Sequence, residues 1–185
     1  MSKSYNITAA LCRQLLLLTC WLIARVSWAQ STAPCGDLVT LDAPIPVATA
    51  NMGTATSVSA RFAIASTNSL GQAPGAAHIY EYTGGGWVYR QTLSPSGLLP
   101  GDMFGGSLYI DDSTALVGAY GHVRPDAPSS AAGAVYVFTR VGSRWTQTGL
   151  IHNPSKVLGS FGWTLDKSGR TLVVGYNSGL SNGEV

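Results

Sequence analysis

The chain has 185 residues, of which 11% are charged, and 11 Lys and Arg stand against 9 Asp and Glu for a formal net charge of +2. So small a charge excludes a long-range electrostatic attraction to nucleic acid or anionic lipid. With 22 glycines and Thr, Ser, Val and Tyr scattered throughout, the composition suits short strands and tight turns.

Residues 1–29 read as a secretory signal peptide. Lys3 and Arg13 precede a ten-residue apolar run from Leu15 to Ala24, and Ser27-Trp28-Ala29 offers small residues for cleavage before Gln30. The run is too short for a membrane span, which needs roughly 18 to 20 residues, and Arg25 follows at once. The expected location is therefore secreted, periplasmic or at the cell surface, with no membrane insertion after cleavage. Removal takes Lys3, Arg13 and Arg25 with it, so 11 − 3 = 8 basic residues face 9 acidic ones, a net −1. Cys12 and Cys20 leave as well, and Cys35 remains as a free thiol, an intermolecular bridge or half of a pair with a cysteine beyond this chain.

Residues 30–51 are a Pro- and Ala-rich leader with one expected strand near Leu38–Leu41. Beyond it the chain repeats itself. Phe104–Tyr120 reads FGGSLYIDDSTALVGAY and Phe161–Tyr176 reads FGWTLDKSGRTLVVGY, an offset of 161 − 104 = 57 residues. A repeat of this pitch marks small supersecondary units that bury their apolar faces by stacking on copies of themselves. The expected units are a degenerate copy over 52–103, a full copy over 104–160 and a partial copy over 161–185.

The full copy predicts four strands. They are Phe104–Ile110, Thr114–Ala119, Gly133–Phe138 and Arg144–Ile151, with turns at Asp111-Asp112-Ser113 and Val141-Gly142-Ser143. The long polar connection Tyr120–Ala132 is the expected variable contact loop. The almost continuously apolar runs predict strands covered on both faces, with Phe138 and Trp145 between sheets. In the degenerate copy Met52-Gly53 stands for Phe104-Gly105, Arg61–Ser66 for Thr114–Ala119, Ala77–Tyr82 for Ala134–Phe138 and Trp87 for Trp145. No helix is evident after the signal. The partial copy stops at Gly183-Glu184-Val185, one turn into its third strand, so the expectation is a piece of a longer protein.

The Phe-Gly openings, the Leu116-Val117-Gly118-Ala119 and Val173-Val174-Gly175 segments, the Gly133–Phe138 strand and Trp87 and Trp145 together resemble FG-GAP repeats, the blades of integrin-alpha-type β-propellers. The resemblance covers about residues 52–185. It departs at Tyr120 and Tyr176-Asn177, where the family has Pro, and at Met52, where it has Phe. Kelch repeats are the rival, through Gly84-Gly85-Gly86 before Trp87, but they lack Phe-Gly openings. The implied fold is all-β, an incomplete β-propeller of two and a half to three four-stranded antiparallel blades that needs further blades to close. The implied function is an exported, non-catalytic module binding an unknown protein or glycan, as in adhesion. The alternatives are blades that only complete a larger propeller, or repeats that position substrate for a downstream catalytic domain.

No catalytic, cofactor or metal residue is predicted. Some blades of the family carry calcium in an Asp-rich loop, but Asp111-Asp112-Ser113 and Asp166-Lys167-Ser168-Gly169 are short, and Lys167 adds a positive charge to the second. His78, His122 and His152 are isolated in the sequence, the first in a strand and the others in loops. Gly84–Gly86 reads as a hairpin turn, with no helix or Lys-Ser/Thr to make a phosphate loop. Tyr80, Tyr82, Trp87 and Tyr89 are expected to pack between blades, with Tyr89 and Trp163 the two aromatics considered for ligand contact. Glu81 is the one glutamate before the terminal Glu184, so paired carboxylates of glycosidase type are not available.

Overall fold

The computed structural model describes residues 39–41, 51–68, 73–123, 131–154 and 159–177. The chain divides into two units, Met1–Leu41 and Asp42–Val185. Of the first, only residues 39–41 are described, and they form no strand, contrary to expectation. The signal peptide, Cys35, most of the 120–132 loop and the last three residues lie outside the described residues.

In the second unit the described residues form ten strands and no helix. They are β1 (Asn51–Val58), β2 (Phe62–Asn68), β3 (Ala76–Tyr82), β4 (Trp87–Leu93), β5 (Phe104–Ile110), β6 (Thr114–Val123), β7 (Ala131–Val141), β8 (Arg144–His152), β9 (Gly159–Ser168) and β10 (Thr171–Asn177). One sheet is the meander β1-β2-β3-β4; the other runs β10-β9-β7-β6-β5, with β8 also on β7. All sequential pairings are antiparallel. The exception is a short parallel contact in which Ala131, Ala132 and Gly133 of β7 meet Gly159, Ser160 and Phe161 of β9. The sheets do not close on each other, as expected of an incomplete β-propeller.

Local chemistry sets the hairpins. Between β7 and β8, Gly142 at φ 63° leads a two-residue turn closed by the Val141–Arg144 pair. A glycine at the first central position is what a type II′ turn requires, and that turn matches the twist of the flanking strands. Between β5 and β6, Asp111 accepts hydrogen bonds from the backbone N–H of Ser113 at 2.8 Å and Thr114 at 2.7 Å. The third repeat turns later than predicted. Asp166, Lys167 and Ser168 belong to β9, and the chain reverses at Gly169-Arg170.

The repeated Phe-Gly acquires a backbone explanation. Gly53, Gly105 and Gly162 have φ of 87°, 91° and 86°. Each lies in the first strand of its unit at a break in register: Met52/Thr56, Phe104/Ser107, and the stretch facing Val174/Tyr176. These are glycine bulges, in which an extra residue needs the left-handed conformation that only glycine adopts cheaply. Met52-Gly53 therefore keeps the geometry of the motif although the aromatic is gone.

Phe104 is fully buried and meets Tyr136 edge-on at 5.2 Å and Phe138 at 6.4 Å. Phe62 of β2 meets Trp145 of β8 edge-on at 5.3 Å, joining the two sheets. Phe138 and Trp145 are buried, as the apolar pattern predicts. Such aromatics bury large areas, and each truncation to Ala costs about 3–5 kcal/mol.

Candidate functional site

A cleft of about 320 Å³ opens above the Phe62–Trp145 contact, walled on one side by β2–β4 and on the other by the β7–β8 hairpin. Its charge comes from Arg61, Arg90 and Arg140, against a single carboxylate, Glu81. Pairing across strands sets this arrangement: Phe62 lies opposite Glu81 on β3, and a register shift in the β3–β4 pairing swings Arg90 toward the same carboxylate.

Glu81 organises the first wall. Its Oε1 accepts from Arg61 Nε at 2.8 Å and Nη2 at 2.6 Å, and its Oε2 accepts from Arg90 Nε at 2.8 Å. The Arg61 hydrogen bonds hold the Glu81 carboxyl below its usual value, outweighing the opposite effect of burial, with Arg90 adding to them. Arg140 on the second wall donates from Nε to the carbonyl of Asp112 at 2.7 Å and from Nη1 to that of Gly142 at 2.8 Å. The Arg61 and Arg140 guanidinium carbons each stand 5.2 Å from the centre of the Phe62 ring, a cation–π distance. Both terminal nitrogens of Arg90 and Nη2 of Arg140 make no hydrogen bond among the described residues. The cleft is thus a partly open, net positive space with fixed guanidinium forks.

A second polar cluster corrects the reading of the histidines. His122 lies on β6 and His152 ends β8, so neither is a loop residue. Their rings stack at 5.8 Å with 18° between planes, although 30 residues separate them. His122 Nδ1 stands 3.1 Å from Asp102 Oδ2, which also accepts from the N–H of Leu99 at 2.9 Å. Tyr136 meets the His122 ring at 5.7 Å. Asp102 orients His122 as a carboxylate orients a catalytic base, but no serine, threonine or cysteine hydroxyl or thiol bonds to His122 among the described residues. His78 is a packed strand residue, as expected, held by Thr67 Oγ1 at 3.2 Å and Thr92 Oγ1 at 2.9 Å. Burial lowers its pKa.

The Asp-rich turns do not fit calcium. Asp111 Oδ1 is taken by Ser113 and Thr114, while Oδ2 receives the Lys167 ammonium at 2.7 Å. Burial raises the Asp111 pKa, but the Lys167 bond and those from Ser113 and Thr114 outweigh it and leave the carboxyl well below the ordinary range. A cation in place of Lys167 would need several further oxygens, and the described residues contain no group of three or more His, Cys, Asp or Glu placed to hold one.

Tyr80 is buried, as expected, whereas Tyr82 and Tyr89 are exposed, contrary to the expectation of packing between blades. The end of the β3–β4 hairpin projects past the core, and there Tyr82 and half-buried Trp87 pack on each other at 5.5 Å. Trp163 is also exposed and lies on Tyr120 at 4.4 Å. Neither Tyr89 nor Trp163 lines the arginine cleft.

The comparison with known families adds to this geometry. Residues 87–138 match the FG-GAP repeat model. The match runs from β4 through Phe138 of β7 and takes in the Phe104-Gly105 bulge, so this open, propeller-type chain carries an FG-GAP repeat. That family is one of non-catalytic repeats. No curated protein matches the chain.

Proposed function

We propose that the chain is an exported, non-catalytic β-propeller repeat module that binds a protein or glycan partner outside the cell, in the manner of an adhesion module. The observation that carries this reading is the cleft between the two sheets, where three arginines converge over buried aromatics. The FG-GAP match supports the same reading, because such repeats offer scaffold surfaces and no chemistry of their own.

The test is to present the full chain to arrays of glycans and of peptides, beside an Arg90→Ala variant of unchanged melting temperature. Retention on at least one ligand series, lost in the variant, is expected. Retention on none, or retention indifferent to Arg90, overturns the reading.

A second reading has its own observation. Trp163, Val173 and Tyr176 on β9 and β10 are exposed, with Val173 64% accessible. Large apolar residues exposed on the last strands of a sheet fit blades that complete a larger propeller. Val173→Lys is expected to abolish concentration-dependent association in sedimentation measurements; unchanged association counts against it.

A further inference from the structure

We propose that the cleft binds the carboxylate of a uronic acid residue in an acidic polysaccharide, with Arg90 as its principal anchor and Arg140 as its second. The inference rests on the binding-module reading and names the ligand class.

Charge comes first. Three guanidiniums against one carboxylate leave the cleft at 3 − 1 = +2, as large as the formal net charge of the whole 185-residue chain. A positive excess concentrated in one concavity is a local feature that attracts an anion. Screening is reduced there, because Phe62 and Trp145 at the floor are 2% and 3% exposed.

Geometry next separates the arginines. Arg61 commits Nε and Nη2 to one oxygen of Glu81. Arg90, which lines the cleft, commits only Nε to Glu81, so its two terminal amino groups stay available to a ligand. A planar fork of this kind matches a planar carboxylate with two parallel bonds, which a lysine cannot reproduce. Arg140 is held at Nε and Nη1 by two carbonyls, leaving Nη2 for a second contact from the facing wall. Glu81 thus serves to position Arg61 and Arg90 and is not itself a ligand contact.

Shape selects among carboxylates. A volume of about 320 Å³ lies at the lower end of small-ligand sites, which run about 300–1,000 Å³, and suits a compact ring rather than an extended chain. An acidic peptide would bind most naturally as an added strand, but the backbone N–H and C=O of Trp145 beside the cleft are both engaged by Gln91. The exposed Ser143 at the lip offers a hydroxyl for a sugar hydroxyl.

Titration calorimetry of the full chain tests this with digalacturonate, neutral digalactose, oligoglutamate and sodium sulfate as probes. Digalacturonate is expected to bind, about tenfold more weakly to Arg90→Ala and also more weakly to Arg90→Lys, which keeps the charge but not the fork. Affinity is expected to fall as salt rises. Digalactose binding equally well overturns the role of the anion. Oligoglutamate binding where digalacturonate does not overturns the ligand class and leaves the binding-module reading standing. Sulfate matching digalacturonate means an adventitious ion only and overturns the proposal. If no probe binds while the arrays retain another ligand, the uronate assignment alone falls; if the arrays too are blank, both fall. Arg140→Gln keeps the test decisive should Arg90 variants lose the fold, and it is expected to weaken digalacturonate binding in the same direction.

Discussion

Gln91 and Trp145 exchange two hydrogen bonds between sheets: the Gln91 amide donates to the Trp145 carbonyl at 2.8 Å, and the Trp145 N–H donates to Gln91 Oε1 at 2.9 Å. One side chain of β4 therefore pairs with the backbone of β8 as a neighbouring strand would. The same contact seats the Trp145 ring against Phe62 and forms the shoulder of the arginine cleft. Gln91→Ala should cost about 1–3 kcal/mol, because it leaves two part-buried backbone groups unpaired. Trp145→Ala should cost about 3–5 kcal/mol. Urea unfolding measures both, and a Gln91→Ala loss near zero would show that water replaces the amide.

Gly133 admits no side chain. A Cβ there would lie 2.2 Å from the carbonyl oxygen and 2.3 Å from the nitrogen of Phe161, and its φ is 114°. Gly133→Ala is expected to destabilise by more than about 4 kcal/mol, since neither backbone can yield without breaking the β7–β9 contact. Gly84→Ala is the control. It also has positive φ but open space around it, so about 1 kcal/mol is expected. Equal losses at the two sites would mean that strain, not contact, sets the cost.

Asp111 makes stability depend on acid. Its folded pKa is depressed below the unfolded value, so its contribution is present above the unfolded pKa and is lost as pH falls through the folded one. Stability should therefore hold above about pH 5 and decline from about pH 4 downward. Asp111→Asn should flatten that decline and cost about 2–3 kcal/mol at neutral pH, through loss of charged hydrogen bonds. Urea midpoints at neutral and acid pH decide it. A parallel offset with no change of slope refutes the assignment.

His78 acts in a higher window. Burial depresses its pKa, so the folded state holds it neutral while the unfolded chain takes up a proton near pH 6.5. Stability should fall as pH drops from about 7 toward 5. His78→Gln keeps partners for Thr67 and Thr92 without a titrating ring, and should remove that slope. An unchanged slope would assign the effect to another group.

The central repeat was legible because its strands are short apolar runs between strong turn residues. The β5 limits, Phe104 to Ile110, are those the pattern predicts. β6 runs on to Val123 because pairing with β7 resumes at Val123–Ala132 beyond a break in register, a tertiary effect that local composition does not carry. Asp166 to Ser168 look like a turn but stay extended, because Lys167 is drawn to Asp111 on the neighbouring unit. The cleft was the least legible feature. Arg90 and Arg140 are ordinary strand arginines and Arg61 stands just before β2, and only the stacking of the sheets brings all three together. Glu81 carried the one usable signal, a glutamate amid an otherwise apolar and aromatic strand. His122 and His152 lie on β6 and β8, which both pair with β7, so no linear spacing announces them.

The passage of Phe161 over Gly133 has a counterpart one unit earlier, where a Cβ on Gly75 would lie 1.8 Å from the carbonyl oxygen of Phe104. Both joints are main chain against main chain. A joint of that kind is blind to the chemistry of the side chains around it and asks only that one position stay bare. The copies can therefore drift apart in composition, as Met52 has drifted from Phe104, and still interlock. Blades built this way are interchangeable parts: the side chains that one of them offers to a shared cleft can change without refitting the joint to the next.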